Sequence, residues 1–157
     1  MRILVAAVGR FGTGSGKAGA ERALFDEYVR RMTTPVSLKE IEEKRPLTPE
    51  ALMKSEAEKL SAAIPKGAVT VALDAGGKQL GSEDLARQFQ HWFNQGVKDV
   101  AFVIGGAEGL DPSVTAQASL RLSLGPMIWP HMLVRVMLME QIYRAQCILS
   151  GHPYHRA

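Results

Sequence analysis

Apolar residues in this chain come in short runs that alternate with helically spaced stripes. Ile3 to Val8 is an unbroken apolar run between Arg2 and Gly9, as expected of a strand buried on both faces. From Ala20 to Met32, the spacing of Leu24, Tyr28 and Met32 predicts a helix. Val36 to Ile41 reads as a weaker second strand. Thr48-Pro49-Glu50 combines a capping hydroxyl, a proline at the first helical position and an acid near the positive helix end. That helix is expected to reach about Ile64, where Pro65-Lys66-Gly67 stops it. Ala68 to Leu73 is the next strand, closing on the loop Asp74-Ala75-Gly76-Gly77.

The second half repeats the alternation. Ser82-Glu83-Asp84 opens a helix through Phe93 that stops near Gly96. Val100 to Ile104 is a fourth strand running directly into Gly105-Gly106. Asp111-Pro112 starts a short helix to about Ala118. Leu120 to Ile128 reads as a fifth strand with an irregular middle at Gly125-Pro126. His131 to Leu149 is the last helix, followed by a tail from Ser150 to Ala157. Strands separated by helices need crossover connections, so the class is α/β, with a mainly parallel sheet flanked by helices. No repeat or long linker divides the chain, and residues 1–157 are expected to form a single domain.

Composition narrows the function classes. A hydrophobic fraction of 46% supports a core, and mean hydropathy is -0.04. No apolar run approaches the roughly 20 residues of a membrane span, so no membrane partner is expected. The apolar start at Ile3 lacks a cleavage-site pattern and reads as a strand, not a signal peptide. Cys147 is the only cysteine, which leaves neither an internal disulfide nor a cysteine cluster for metal and suits a cytoplasmic protein. The net charge of +3 reflects an excess of basic residues in the stretch up to and including Lys66. It permits a polyanionic partner without demanding one.

Two glycine-rich regions compete as ligand sites. Gly14-Ser15-Gly16-Lys17-Ala18-Gly19 fits G-x-G-x-x-G after a strand and before a helix, with Glu42 downstream where a ribose-binding acid would stand. This supports a dinucleotide-dependent oxidoreductase, although the tight turn from strand to helix is missing between Gly9 and Gly14. The other region comprises three loops: Leu73 to Gly77, Ile104 to Leu110, and Leu124 to His131. They are expected beyond the carboxyl ends of neighbouring strands, where open α/β sheets bind ligands. Gly105 and Gly106 would expose backbone amides, and Gly125-Pro126 with Trp129-Pro130 would hold a rigid turn able to read an adenine edge.

Ile104-Gly105-Gly106-x-Glu108-Gly109-Leu110, Pro130-His131-x-Leu133-Val134-Arg135 and the ending His152-Pro153-Tyr154-His155-Arg156 closely resemble the ribosomal RNA large-subunit methyltransferase H family. Val8-Gly9, Glu27-Tyr28-x-x-Arg31 and Leu73-Asp74-x-x-Gly77-Lys78 match it too, so the resemblance spans the chain. It implies a SPOUT-type fold with a C-terminal trefoil knot, which periodicity does not reveal. It implies a homodimer that uses S-adenosyl-L-methionine to methylate N3 of a pseudouridine in 23S ribosomal RNA within the assembled ribosome. Carried over by residue, the cofactor pocket is Leu73, Gly105, Gly106, Gly125, Pro126, Met127, Ile128, Trp129 and Pro130, with backbone roles in the last stretch. His131 and His155 are candidate proton acceptors, Arg156 a charge stabiliser or phosphate contact, and Tyr154 a base-stacking or RNA-positioning group. No metal is implied. His131 as a helix cap, and Arg135 paired with Glu140 or Glu108, are alternatives to these roles. The loop from Phe11 to Gly19 is richer in glycine than the family's usual one, and its part in RNA contact stays open. A nearly all-apolar last helix independently suggests a two-fold partner. A ribosome-binding factor without turnover is the remaining alternative.

Overall fold

The computed structural model describes residues 1–12 and 16–156. Gly14 of the N-terminal glycine motif lies outside the described residues. The chain forms two compact units, one of residues Met1–Arg10, Pro35–Gln79 and Lys98–Met127, the other of Phe11–Thr34, Leu80–Val97 and Ile128–Ala157.

The first unit is a five-stranded parallel sheet: β1 (Arg2–Val8), β2 (Val36–Ile41), β3 (Val69–Gln79), β4 (Asp99–Ile104) and β5 (Leu120–Ser123), in the order β2-β1-β4-β3-β5. Val100 to Val103 are fully buried, as an unbroken apolar run in a central parallel strand requires. Two helices of this unit are α2 (Pro49–Ala63) and α4 (Pro112–Gln117). Each begins as its sequence dictates. Thr48 accepts a hydrogen bond from the Ala51 amide at 3.3 Å, and Asp111 accepts one from the Ser113 amide at 3.0 Å. Ala57 and Leu60 of α2 join Ala6, Val8, Ile41, Val103 and Val114 in one apolar cluster.

Two strand boundaries differ from those expected. β3 does not end at Leu73: after pairing with Leu122 there, it pairs with the same Leu122 again through Lys78, and residues 74–77 bulge out between. β5 ends at Ser123, well short of Ile128. Gly125 turns the chain with φ of 102°, and Pro126 has no N–H to continue a ladder.

The second unit contains α1 (Gly19–Arg31), α3 (Ser82–Asn94) and α5 (His131–Ser150), with α5 packed against both α1 and α3. Leu85, Ala86, Phe89 and Trp92 form the buried face of α3. Along α5, Val136, Leu138, Met139, Ile142, Tyr143 and Cys147 are buried. Gly151 (φ 73°) ends the helix, and the His152 amide donates back to the Cys147 carbonyl at 2.9 Å. No helix among the described residues is long and apolar enough to cross a membrane.

Candidate functional site at the carboxyl edge of the sheet

Strands β4, β3 and β5 are consecutive neighbours and parallel, so the segments leaving their carboxyl ends emerge at one edge of the first unit. Gly105 and Gly106 follow β4 directly. The Gly106 carbonyl accepts the Gly109 amide at 3.0 Å, closing a turn. A Cβ on Gly105 would stand 2.7 Å from the carbonyl carbon of Gly109 and 2.9 Å from the Leu110 nitrogen. The turn therefore needs glycine for its own shape, and in forming it leaves bare backbone at the strand end.

The bulge of β3 is fixed by side chains. Asp74 accepts the Gly76 amide at 3.0 Å, and it accepts two hydrogen bonds from Arg121, from Nε at 2.8 Å and from a terminal nitrogen at 2.5 Å. Arg121, followed by the Gly76 amide, holds the Asp74 carboxyl below its usual range. Buried Ser123 then joins the bulge to the turn after β5: its hydroxyl donates to the Ala75 carbonyl at 3.0 Å and accepts the Gly125 amide at 3.1 Å. Ser123 thus ties the bulge that follows Leu73 to the turn at Gly125, beside the strand that runs into Gly105 and Gly106. Pro126 and Met127 follow on the surface, Met127 being 69% exposed. In the second unit, Ile128 is 98% exposed, and Trp129 and Pro130 lead into α5.

His131 is the first residue of α5, half-buried; the cap position is Pro130, so His131 does not cap the helix. Arg135 is fully buried, with its guanidinium carbon 4.5 Å from the centroid of the Phe11 ring. Glu140, one of its two alternative partners, accepts instead from Arg144 Nε at 3.0 Å.

The tail folds back within the second unit. Tyr154 Oη donates to Glu140 Oε1 at 2.8 Å and lies 3.4 Å from Tyr28 Oη. Its ring meets Tyr143 edge-on at 4.8 Å, and the Arg144 guanidinium lies over it at 4.8 Å. Burial, then the hydrogen bonds of Tyr28 and Glu140, push the Tyr154 phenol up, so it stays neutral. A terminal Arg144 nitrogen is 3.2 Å from His155 Nδ1. A guanidinium only donates, so Nδ1 accepts and a neutral imidazole carries its proton on Nε2, 3.6 Å from Glu83 Oε1. The lone pair that could take a proton from a substrate is directed at Arg144. Arg156 is exposed.

At the competing N-terminal loop, Phe11 is buried against Phe25 at 5.5 Å. Glu42, the expected ribose acid, instead accepts from Arg10 Nε at 2.7 Å. Sequence reasoning did not identify Ser123, Arg121, Glu56 or the Tyr28–Tyr143–Arg144–Glu140 cluster. Glu56 carries a visible signal: it interrupts the apolar stripe of Leu52 and Leu60 on α2, where a polar residue needs a reason. Among the described residues no group of three or more His, Cys, Asp or Glu converges as a metal site.

A five-stranded parallel sheet flanked by helices, with loops gathered at adjacent carboxyl ends, defines an α/β protein of the open-sheet class, in which ligands bind at that edge. Residues 1–155 match a family model described as "Predicted SPOUT methyltransferase". The chain is 53% identical over 156 residues to ribosomal RNA large subunit methyltransferase H of Paramagnetospirillum magneticum, covering 99% of each. It is 53% identical over 157 residues to the protein of that name from Rhodospirillum centenum, covering all of both. In fold it is similar to a probable methylase family protein from Haemophilus influenzae, with a TM-score of 0.56 at 10% identity over 99% of this chain and 70% of that one. The chain belongs to the SPOUT methyltransferases and, within them, to the ribosomal RNA large subunit methyltransferase H family.

Proposed function

We propose that this chain is a ribosomal RNA methyltransferase that uses S-adenosyl-L-methionine to methylate N3 of a pseudouridine in 23S ribosomal RNA, on the assembled ribosome and as a homodimer with the family's C-terminal knot. The observation that carries the reading is the Gly105-Gly106 turn beside a bulge and turn latched by Ser123, in a chain about half identical to full-length relatives of that name. The carboxyl edge fits such a cofactor. Gly105 and Gly106 would offer backbone amides with no side chain of their own, Leu73 an apolar wall, and the turn at Gly125 a further stretch of backbone able to read an adenine edge. When bound, the cofactor supplies a methyl group on a sulfonium. The chain's residues orient it against the acceptor nitrogen, an effect worth about 7–11 kcal/mol when a near-attack geometry is reached.

Tyr154 and His155 hold the tail in place, and exposed Arg156 grips RNA phosphate. The apolar side chains left half-buried on α5, Met132, Leu133 and Met137 among them, are the surface offered to a second subunit. The described residues include no separate RNA-binding module, so the ribosome supplies the rest of the acceptor surface.

The test is methyl transfer to ribosomes from a strain lacking the enzyme, followed by nucleoside mass mapping. One methylated pseudouridine in 23S RNA is expected, with poor transfer to naked RNA. Calorimetry is expected to register S-adenosylhomocysteine and no NAD. Heat from NAD alone would instead support the glycine-loop oxidoreductase. Removing the last four residues is expected to abolish transfer while leaving cofactor affinity largely intact, and unchanged turnover would reject the tail's role.

A further inference from the structure

Glu56 sits on α2 and is only 7% exposed. Among the described residues no hydrogen-bond donor or cation pairs with its carboxylate. That is costly for a charged group, because an ionised side chain removed from water is normally paired or hydrogen-bonded. The neighbouring acid shows the contrast. Glu43 accepts from Arg45 Nε at 3.0 Å and from the Ser55 hydroxyl, with Lys59 Nζ 3.3 Å away, and Arg45 first and then Ser55 hold its carboxyl well below the usual range. Glu56 is pushed the other way, first by burial and then by the charges of Glu108 and Glu43. From the remaining neighbouring elements, Lys54 of α2 reaches Glu50 at 4.0 Å, and Asp111 before α4 is engaged by Ser113. Among the described residues no cation neutralises Glu56.

The carboxylate is aimed at the candidate site. A Cβ on Gly106 would stand 3.1 Å from Glu56 Oε2 and 3.1 Å from Val8 Cγ1. Sheet order fixes which flank this is. β4 has β1, which carries Val8, on one side and β3 with its bulge on the other. The proposed cofactor loops belong to the β3–β5 flank, and Glu56 faces the Gly105-Gly106 turn from the flank of β1. A ring seated there would meet the Gly105-Gly106 turn from the side opposite the proposed cofactor loops. Its chemistry is also set: a lone buried carboxylate takes an N–H donor and repels phosphate.

Resting on the function proposed above, we propose that Glu56 is the catalytic proton acceptor, receiving the imide proton of the target uracil-type ring at the turn after β4. The N3–H bond breaks with its electron pair left on nitrogen, and the proton passes to a Glu56 oxygen. The anionic nitrogen would then take the methyl group as its bond to the donor's sulfonium sulfur breaks, that electron pair staying on sulfur as a neutral thioether, and the proton leaves to water when product departs. His155, with Nδ1 engaged by Arg144, is not the acceptor.

The experiment compares wild type with Glu56→Gln and Glu56→Asp in ribosome methylation, S-adenosylhomocysteine calorimetry and thermal melts. Glu56→Gln is expected to lower kcat by about 100-fold or more, the usual scale for a placed base. It should also remove the rise of kcat with pH, while cofactor Kd stays within about threefold, under 1 kcal/mol. Glu56→Asp should recover part of the rate. The readout independent of turnover is stability. Because the carboxyl is raised, Glu56 favours the folded state at pH below its ordinary value, and that contribution is lost as pH rises through the raised one. Glu56→Gln should therefore melt above wild type at neutral pH, with the gap closing in acid. A kcat loss smaller than about tenfold (1.4 kcal/mol) overturns the proposal. So does a lower melting temperature at neutral pH, which would make Glu56 a structural hydrogen-bond partner. If wild type itself neither binds cofactor nor methylates ribosomes, the functional reading fails instead.

Discussion

The turn after β4 and the tail after α5 are both short connections leaving a regular element, and they are held by opposite means. Residues 105–110 keep their shape because side chains are missing: Gly105 lies so close to Gly109 and Leu110 that one methyl group would meet their backbone. Residues 151–156 keep theirs because side chains are present, with Tyr154 set among Tyr28, Tyr143, Glu140 and Arg144. A site made of backbone presents fixed amides and no flexible groups, which suits a cofactor that must be gripped the same way at every turnover. A site made of hydrogen-bonded side chains can be loosened piecemeal, which suits a surface that admits and releases a large RNA. Binding of the small ligand should then depend on the first region, and productive use of the large one on the second.

The sharpest way to break this division is Gly105→Ala. A contact of 2.7 Å against backbone cannot be relieved by rotating a side chain, so residues 105–110 must move. Overpacking of this kind costs about 1–3 kcal/mol of stability. Displaced amides should weaken S-adenosylhomocysteine by about 100-fold, or 2.7 kcal/mol, measured by calorimetry. Affinity equal to wild type would show that the cofactor does not use this turn. Gly12 is the control: a Cβ there meets nothing within 4 Å, so any loss in Gly12→Ala should be backbone strain alone, with cofactor affinity unchanged.

Tyr154→Phe probes the other region with a smaller expected effect. It removes the hydroxyl that donates to Glu140 at 2.8 Å, and hydrogen bonds to charged groups contribute about 1.5–3 kcal/mol. The ring and its contact with Tyr143 remain, so the fold should persist while the tail opens more often. Amide exchange from residues 152–156 should quicken and ribosome methylation fall about tenfold, or 1.4 kcal/mol. Cofactor affinity should not change. A parallel loss of affinity would mean that tail and turn serve one ligand.

How far these regions were legible in sequence follows from the same contrast. Glycines required by a turn stand in one segment, so Gly105-Gly106 could be singled out directly, as could the caps at Thr48 and Asp111. The bounds of β2 are legible because its pattern is local. The end of β3 is not, since resumption of pairing at Lys78 depends on Leu122, far along the chain. The sequence pattern carries β5 too far because apolar Met127 and Ile128 continue it although the chain has already turned at Gly125. The tail's importance was carried by the resemblance, whereas its anchorage was invisible: Tyr28, Tyr143 and Tyr154 meet only after folding. Glu56 had a trace, an acid in an apolar stripe, whose meaning needed the position of Gly106.

The β3 bulge tests an intermediate case, a stretch of backbone held in shape by one ion pair. Asp74 receives Arg121 and the Gly76 amide, and its carboxyl is held below the usual range by these partners. A depressed carboxyl contributes stability that is present above its unfolded value, about 3.9, and is lost as pH falls through the folded one. The Asp74 side chain is 25% exposed and that of Arg121 50%, so solvent screens the pair and the effect should be about 1 kcal/mol or less. Urea unfolding of Asp74→Asn against wild type should show a small deficit at pH 7 that shrinks as pH falls through the folded-state value. Ser123 remains to latch the bulge to Gly125, so cofactor affinity should drop far less than in Gly105→Ala. A loss as large as that of Gly105→Ala would place the ion pair, rather than bare backbone, at the centre of cofactor binding.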